Sequence, residues 1–446
     1  MGLFDRLRTG GRRAAVVGLD GVGFPLVQEL VARGVMPRLG AFMESGSAGP
    51  MRSSVPTVSS VSWANFLTGS NPGRHGIYGF TDIDRERFKQ YFPGFRHLCG
   101  DSLIDILDRH GKRVVVVNVP GTYPAREVPG VLISGFVAIK LEKAVHPPSL
   151  LPRLREAGYR IDVDYLRANE RPREFFADLF ETLNIRRRVL VELAREQAWD
   201  LFIGVVTESD RLHHYFWHAW EDEESPYHEK FVAFYAALDE LIGELIDSFG
   251  DAAVMVMADH GHMLIRSEFY PNVVLRERGL LKFRTGSPRT VADIHPDTKA
   301  FVLDPGRIYL NLKGRYPIGG VEPAESGELL DEIASMMSAV EFEGDHPVSS
   351  SLGRDRLYQG GCADRAPDMV LQFNPGFDIK GSLRAETPFG LSALTGMHTY
   401  DDSFFCAAAP GMDLAAMDIM DIAPTLLGAL GLAGGEAMDG RDRGLA

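Results

Sequence analysis

The stretch AAVVGLDGVG at residues 14–23 decides how the chain folds. Four apolar residues lead into Gly18, and Asp20 then stands between glycines. A short apolar run that ends at a glycine predicts a buried strand followed by a tight loop. An acid at that point projects from the carboxyl end of the strand, where open α/β sheets place their ligands. We therefore predict that Asp20 is a metal ligand to which later parts of the chain bring others.

Later segments repeat this pattern, with carboxylates or imidazoles after an apolar run or within a turn. These residues are Asp210 and His214 after the run at 201–206, Asp259 and His260 after the run at 253–257, and His398 in a turn. On a helix, the spacing of four between Asp210 and His214 puts both on one face. Together with Asp20 they exceed the needs of one tetrahedral ion, but they suit two ions with about three protein ligands each. The mixture of carboxylate and imidazole suits zinc, with manganese as the alternative.

The chain alternates between predicted strands and helices over most of its length. Strands are predicted at 114–117, 131–137, 201–206, 253–257 and 404–409, and helices at 185–197 and 226–249. This alternation predicts an α/β fold with a mostly parallel central sheet flanked by helices on both faces. Residues 265–395 show few periodic patterns, so we predict that they form an inserted cap or substrate region that is partly core. Residues 1–264 and 396–446 then form the catalytic core.

A hydroxyl-rich segment at residues 53–80 has the sequence SSVPTVSSVSWANFLTGSNPGRHGIYGF. Residues 59–67 can be helical, with Ser59 or Ser60 as the N-cap. Most hydroxyls at a helix start are plain caps. A nucleophile at that position also gains from the helix dipole and the free backbone N–H groups.

Composition limits the class of partner. The net charge of −14 over 446 residues argues against a nucleic-acid polymer. A small phosphate ester stays possible because bound divalent ions reverse the local charge. The three widely spaced cysteines suggest neither a disulfide framework nor a cysteine zinc cluster.

No run approaches the ~20 apolar residues of a transmembrane segment. We expect a cytoplasmic protein, although the basic, amphipathic residues 1–13 leave weak contact with a membrane surface as an alternative.

With its motifs in this order, the sequence resembles the alkaline phosphatase superfamily, and within it the type I phosphodiesterase/nucleotide pyrophosphatase family. The resemblance covers roughly residues 14–80, 201–262 and 395–430. It rests on Asp20, on the segment TGSNPGRHGI at 68–77, and on D-x-x-x-H, D-H-G and G-x-H motifs at 210–214, 259–261 and 396–398. Counting back from residue 68 places the nucleophile on Ser59, with Ser60 as the adjacent competitor.

The resemblance implies an alkaline-phosphatase-like fold and a two-metal hydrolase of small phosphate esters. One ion would be held by Asp210, His214 and His398, and the other by Asp20, Asp259, His260 and the oxygen of Ser59. The expected reaction cleaves phosphodiester or nucleotide pyrophosphate bonds through a covalent phosphoserine. A phosphomonoesterase or phosphonate hydrolase with the same metals is the alternative, and a metal-binding sensor of phosphorylated ligands is the non-enzymatic one. The oligomeric state is not indicated.

Several other residues receive weaker predictions. The spacing of glycines at 18–23 does not match a dinucleotide-binding loop, and an acid there would repel a pyrophosphate. Four further histidines are predicted to lie outside the set of ligands: His75, His213, His218 and His262. Four aromatics of the insertion are available to stack on a base, unless they form its core: Phe269, Tyr270, Phe283 and Tyr309.

Overall fold

The computed structural model describes residues 12–166, 168–435 and 437–445. The first eleven residues of the amphipathic N-terminal segment therefore lie outside the described residues. In chain order the strands are β1 (Ala14–Leu19), β2 (Ser47–Met51), β3 (Asp82–Asp84), β4 (Lys89–Tyr91), β5 (Val114–Val117), β6 (Gly130–Ile133), β7 (Val145–His146), β8 (Leu201–Val206), β9 (Ala253–Ala258), β10 (Gly261–Leu264), β11 (Ser267–Phe269), β12 (Ala300–Leu303), β13 (Arg307–Leu310), β14 (Val348–Gly353), β15 (Met369–Phe373), β16 (Phe377–Ile379), β17 (Phe389–Gly390), β18 (Gly396–Thr399) and β19 (Ser403–Ala407).

The α-helices lie mainly between these strands. They are α1 (Phe24–Ala32), α2 (Pro37–Ser45), α3 (Ser59–Thr68), α4 (Pro72–His75), α5 (Leu103–Arg109), α6 (Leu151–Glu156), α7 (Pro172–Glu196), α8 (Glu208–Glu221), α9 (His228–Phe249), α10 (Pro271–Glu277), α11 (Ser326–Ser338), α12 (Arg354–Leu357) and α13 (Ile422–Ala429). Among the described residues, no helix is both long enough and apolar enough to cross a bilayer.

An eight-stranded sheet forms the centre of the molecule, in the order β2-β19-β9-β1-β8-β5-β6-β7. Strands β9, β1, β8, β5 and β6 run parallel to their neighbours in this group, whereas β2, β19 and β7 pair antiparallel. The predicted fold class, an α/β fold with a mostly parallel central sheet and helices on both faces, is confirmed.

The side chains of β1 alternate between two apolar cores. Ala15 and Val17 pack in the core that also holds residues of α1, α2, α7 and α9. Ala14 and Val16 pack in the core on the other face, with α3, α5 and α13. Because successive strand residues point to opposite faces, a strand buried on both sides must be apolar throughout. This explains why β1, β5 and β8 are continuous apolar runs in the sequence.

The helix predicted at 185–197 is longer than expected. Helix α7 begins at Pro172, a residue that suits the first turn because its missing N–H has no partner there in any case. Phe175, Phe176 and Leu179 are buried in the main core. The residues just before the predicted helix therefore also contribute to the core.

The span 265–395 contains β11 to β17, most of which the few periodic patterns of this span did not reveal. Four of these strands form an antiparallel sheet in the order β12-β13-β15-β14, with its own apolar cluster. The strands hold only two to six residues each, which leaves little periodic signal. The antiparallel pair β10–β18 joins the two ends of this span. The division into core and insertion stays a prediction.

Candidate metal centre

The order of the central strands explains why the predicted ligands meet. Leu19, the last residue of β1, pairs with Val206 of β8 and with Ala258 of β9. Asp20 and Asp259 directly follow two of these strand ends, and α8, which carries Asp210, follows the third. The carboxyl ends of the three parallel strands therefore bring the carboxylates to one edge of the sheet.

The first cluster surrounds one carboxylate oxygen. Oδ1 of Asp210 lies 3.3 Å from Nε2 of His214, 3.5 Å from Nε2 of His398 and 3.6 Å from Nε2 of His262. Tetrahedral ligands held ~2.0–2.1 Å from a zinc ion lie roughly 3.3–3.4 Å from one another. The spacing of this donor set therefore fits a divalent ion.

The second cluster contains two carboxylates and one imidazole. Nε2 of His260 lies 3.4 Å from Oδ2 of Asp259 and 3.6 Å from Oδ1 of Asp20. The hydroxyl of Ser59 joins this cluster, with its Oγ 3.1 Å from Nε2 of His260 and 3.3 Å from Oδ1 of Asp20. The structure thus gathers all seven predicted site residues into two adjacent groups.

The four imidazoles of the two clusters are oriented in the same way. Each Nδ1–H donates to a backbone carbonyl oxygen, so that each Nε2 lone pair points into its cluster; the acceptors are Gly396 for His214, Thr57 for His398, Gly261 for His260 and Gly21 for His262. This arrangement is typical of histidines that bind metals, because the second nitrogen fixes the ring and its tautomer. Among the described side chains, Asp210 Oδ1, Asp259 Oδ2 and His262 Nε2 are buried without a hydrogen-bond partner.

Burial and crowding shift the pKa values of the carboxyl groups. Burial raises the pKa of Asp259 to about 8, and the nearby carboxylate of Asp210 adds to the increase. The pKa of Asp20 is raised by burial and by repulsion from Asp259 and Asp210. Burial would raise the pKa of Asp210, but His214, His398 and Arg211 together outweigh burial and lower the pKa. A divalent ion would remove the repulsion between these carboxylates, which is the physical reason why the residues fit one.

Three of the four imidazoles, those of His260, His262 and His398, are held in the neutral form that binds metals. Burial lowers the pKa of His398 to about 3, and the adjacent His260 contributes. Burial likewise lowers the pKa values of His260 and His262. A neutral imidazole has a free lone pair at physiological pH, so these side chains are ready to act as ligands.

Gly21 connects the two clusters through its peptide groups. Its N–H donates to Oδ1 of Asp259, and its carbonyl accepts from Nδ1 of both His213 and His262. Its φ is +77°, and a Cβ there would lie 2.7 Å from Cε1 of His262. A residue larger than glycine at this position would therefore disturb both clusters.

Arg211 orients the carboxylate of Asp210. Its Nη1 donates to Oδ2 of Asp210 at 3.0 Å, while Nε and Nη2 bind the carboxylate of Asp162. The rings of Phe136 and Tyr165 lie 4.4 and 4.6 Å from the guanidinium carbon. The Oδ2 atom of Asp210 is thereby held on the side of Arg211, and its Oδ1 atom faces the imidazoles. Sequence analysis did not identify Arg211, although its position next to Asp210 was visible.

The remaining histidine predictions meet different outcomes. His262 was predicted to lie outside the ligand set, but the structure brings it into the first cluster. His213 points away: its Nδ1 donates to Gly21, and Tyr235 lies 2.6 Å from its Nε2. His213 is fully buried, so it is not a surface residue. His75 accepts from the N–H of Ile77, as expected for a turn residue.

The N-cap prediction for Ser59 and Ser60 is wrong. Val58 is the N-cap of α3, and Ser59 is the first residue of the helix. The hydroxyl of Ser59 is therefore free to join the second cluster. Oγ of Ser60 has no hydrogen-bond partner and lines a small apolar pocket with residues such as Ala64 and Phe95.

A cavity of about 310 Å³ opens beside the first cluster. Its walls come from the core and from the span 265–395: Pro56, Thr57, Val58, Phe80, Thr81, His214, Asp304, Pro305, Leu371, Gln372, Phe373, Asp378, Ile379, Lys380, Leu394, Met397 and His398. None of the four aromatics predicted to stack on a base is in this set. Phe269 and Tyr309 are buried in the apolar cluster of the insertion, and Phe283 packs against it, which matches the alternative interpretation.

Comparisons with solved structures support the fold. Phosphonoacetate hydrolase from Sinorhizobium meliloti 1021, solved with phosphonoformate and with phosphonoacetate, matches with a TM-score of 0.64 and 19% identity, covering 94% of this chain and 95% of that chain. Murine ectonucleotide pyrophosphatase/phosphodiesterase 5 matches with a TM-score of 0.56 and 14% identity, covering 95% and 96%. An inactive variant of the murine protein was solved in complex with AMP. No curated protein sequence matches.

The structural similarities establish the fold, whereas the family of the chain is established by a match to a protein-family sequence model. The model described as type I phosphodiesterase / nucleotide pyrophosphatase matches residues 14–401, which is most of the chain and includes every predicted site residue. The chain therefore belongs to the type I phosphodiesterase/nucleotide pyrophosphatase family of the alkaline phosphatase superfamily.

Proposed function

We propose that this protein is a metal-dependent phosphodiesterase that acts through a covalent phosphoserine on Ser59. The observation that carries the proposal is the position of the Ser59 hydroxyl. It lies at the first residue of α3 and within 3.3 Å of both Asp20 and His260. A nucleophile there faces a candidate metal site on one side and the N-terminus of a ten-residue helix on the other.

Ser59 has the surroundings that its role requires. Its hydroxyl donates to Oδ1 of Asp20, and Nε2 of His260 is a second nearby acceptor for the same proton. The positive end of the α3 dipole and its terminal N–H groups favour a phosphoryl group at this position. Attack by Oγ on phosphorus breaks the bond to one leaving oxygen, which departs as the alcohol, and forms a phosphoserine that keeps the second ester group. Water then breaks the bond between phosphorus and Oγ.

Two divalent ions fit the donor sets, one with Asp210, His214 and His398 and the other with Asp20, Asp259 and His260. When bound, the ions would lower the pKa of the attacking hydroxyl and neutralise charge on the phosphoryl and leaving oxygens. The donor set of carboxylates and imidazoles favours zinc, with manganese as the alternative. His262 is available to the first of these ions in addition to the three predicted ligands.

The cavity beside the first cluster supports a diester. A phosphomonoester needs no room for a second organic group, whereas about 310 Å³ of largely apolar space lies beside His214 and His398. That volume is at the lower end of the range for small-molecule sites. Phe80 and Phe373 give the cavity aromatic surface, so a nucleotide diester is one candidate substrate.

Other functions of this site remain as alternatives with less support. The structural similarity to phosphonoacetate hydrolase favours a phosphonate hydrolase as the second candidate, because that protein was solved with phosphonoacetate. A phosphomonoesterase is the third. A non-catalytic sensor would not require a hydroxyl oriented into the second cluster. The cytoplasmic location stays a prediction.

The test is turnover of chromogenic substrates by protein that has been stripped with a chelator and reconstituted with zinc or manganese. We expect bis(4-nitrophenyl) phosphate to be cleaved with a kcat/KM about tenfold or more above that for 4-nitrophenyl phosphate, since only the diester fills the cavity. Phosphonoacetate serves as the third substrate. A preference for the monoester or the phosphonate would contradict the proposal, as would full activity without metal.

A further inference from the structure

Two of the three cysteines meet at one point although they lie far apart in the sequence. The backbone N–H of Cys99 donates to the carbonyl of His75, and the N–H of Cys362 donates to the carbonyl of Gly73, each at 2.8 Å. Both acceptors belong to the short helix α4. The same segment of the core therefore fixes the backbone of both cysteines.

The two thiols share one guanidinium group. Nη2 of Arg365 lies 2.7 Å from Sγ of Cys99 and 2.7 Å from Sγ of Cys362, so the two sulfur atoms flank the same nitrogen. Gly76 leaves room for this arrangement, since a Cβ there would overlap Nη2 of Arg365. A nearby positive charge favours the thiolate, which is the nucleophilic form of cysteine.

The two thiols differ in their access to solvent. Cys99 is half-buried, whereas Cys362 is buried and its carbonyl accepts from the hydroxyl of Tyr78 at 2.6 Å. Burial raises the pKa of the Cys362 thiol, and contact with Cys99 raises it further. An accessible thiol next to a buried one is the arrangement of a reactive cysteine with a resolving partner.

We propose that Cys99 and Cys362 form a site of reversible oxidation by hydroperoxides, separate from the phosphodiesterase site. The Cys99 thiol loses its proton and attacks one peroxide oxygen; the O–O bond breaks, and Cys99 becomes a sulfenic acid as water or an alcohol departs. The sulfur of Cys362 then attacks the Cys99 sulfur, and the S–O bond breaks. The hydroxide leaves as water with the proton of Cys362. Two thiols and one hydrogen peroxide thus give one disulfide and two waters.

The disulfide would fasten the insertion to the core near the residues that precede Ser59. Cys362 lies in the segment after α12, where the hydroxyl of Tyr358 donates to the carbonyl of Val55. Cys99 lies in the core segment that follows β4. Cys406, by contrast, is fully buried in β19 and remains a free thiol in our proposal.

The test uses the full-length reduced protein, treated with hydrogen peroxide and then alkylated. Non-reducing peptide mass spectrometry should find a Cys99–Cys362 cross-linked peptide that dithiothreitol removes. We expect alkylatable thiols under denaturing conditions to fall from three to one, the remaining one being Cys406. If Cys99 and Cys362 stay alkylatable at peroxide concentrations that oxidise free glutathione, the proposal is overturned.

Variants separate a resolving pair from a lone reactive cysteine. In Cys362→Ser, the Cys99 sulfenic acid should persist and be trapped by dimedone, whereas wild-type protein should give little adduct. Equal trapping in both proteins would rule out Cys362 as the resolving partner. Arg365→Met should slow oxidation, and Cys406→Ser is the matched control that should oxidise at the wild-type rate.

Discussion

The imidazole of His260 stacks on that of His398, with ring centroids 3.6 Å apart and planes inclined by 21°. The two rings belong to different clusters: Nε2 of His260 faces Asp20 and Asp259, while Nε2 of His398 faces Asp210. The two candidate sites therefore share a wall made of two neutral rings.

Substitution of a ligand should remove one ion. We expect about two equivalents of metal in the wild-type protein and about one in His214→Ala, because that variant lacks one of the four donors and leaves an incomplete set of Asp210, His262 and His398. Elemental analysis after purification without chelator measures this. His213→Gln is the matched control on the adjacent residue, since His213 faces Gly21 and Tyr235. Equal loss of metal in both variants would refute the assignment of helix faces on α8.

Arg211 should act on metal affinity through Asp210. Arg211→Met frees Oδ2 of Asp210, which Nη1 of Arg211 now holds at 3.0 Å. Loss of such a supporting contact lowers metal affinity by roughly 10–100-fold. Competition with a chromogenic chelator measures the affinity directly. Arg211→Lys should restore part of it.

A control for this prediction comes from the surface pair of Arg187 and Glu244. Arg187→Met removes a similar side chain that makes no contact with Asp210, and it should leave metal affinity unchanged. If Arg211→Met also leaves the affinity unchanged, the guanidinium does not position Asp210.

The sequence was most informative where buried strands end. Continuous apolar runs at β1, β8 and β9 are physically required in a parallel sheet covered on both faces, so Asp20 and Asp259 were easy to place. The contact between Arg211 and Asp162 was invisible, because Asp162 lies in an irregular segment that only the tertiary fold brings to α8. Most strands of the insertion were not predicted, because each holds too few residues to show a periodic pattern.

His262 shows a second limit of sequence reasoning. On a strand, residues two apart point to the same side, so the spacing of His260 and His262 did not show that they reach different clusters, which depends on where β10 begins. The pairing of His262 with His398 across β10 and β18 supplies that information. Aromatic content alone likewise does not show whether the aromatic residues of the span 265–395 form its core or face a substrate.

The metal-free protein should lose stability as the pH rises, and Asp259 should be one cause. Its pKa in the folded protein is raised to about 8, above that of an unfolded aspartate, so the folded state binds the extra proton between about pH 4 and pH 8. Stability is then present at low pH and is lost as the pH rises through the folded pKa. In the presence of a chelator, Asp259→Asn should therefore melt higher than wild type at pH 8.5, by a smaller margin at pH 6, and close to it at about pH 4, where the unfolded aspartate is also protonated.

Added metal should reverse this order, because the wild-type carboxylate becomes a ligand and the amide is a poor one. Thermal melting with and without zinc gives both comparisons on the same samples. If Asp259→Asn melts below wild type at pH 8.5 even with chelator present, the carboxylate is not a source of strain in the metal-free site.

The charges of the cavity should discriminate between substrates. Nζ of Lys380 lies 2.5 Å from Oδ2 of Asp378. Although burial alone would lower the pKa of Lys380, the carboxylates of Asp378 and Asp304 raise it. The ammonium therefore stays protonated, and the neighbouring carboxylates balance its positive charge. Asp378→Asn should release it and raise the kcat/KM for a diester with a carboxylate substituent relative to its neutral analogue. Lys380→Met should lower the same ratio. Asp355→Asn, which changes a fully exposed carboxylate, is the control. Unchanged ratios in both cavity variants would place the substituent elsewhere.

The nucleophile is tested by removing one hydroxyl at a time. Ser59→Ala should lose activity by roughly a factor of 10³ or more, since covalent catalysis depends on that oxygen. It should still bind metal at the cluster of Asp210, His214 and His398, which Ser59 does not touch. Ser60→Ala should keep most activity, because Oγ of Ser60 makes no hydrogen bond to either cluster and Ser60 lines a small apolar pocket.

Two measurements then decide whether Ser59 becomes phosphorylated. Mass spectrometry of enzyme quenched in acid during turnover should find on Ser59 an adduct of the phosphoryl group with its remaining ester substituent, and the same adduct on Ser60 would move the nucleophile by one residue. A chiral phosphorothioate diester reports the stereochemistry at phosphorus. Each in-line displacement inverts the configuration, so attack by Ser59 followed by attack by water gives net retention. Direct attack by water is a single displacement and gives inversion. Inversion without any adduct would therefore exclude the phosphoserine and leave Ser59 only as a neighbour of Asp20 and His260.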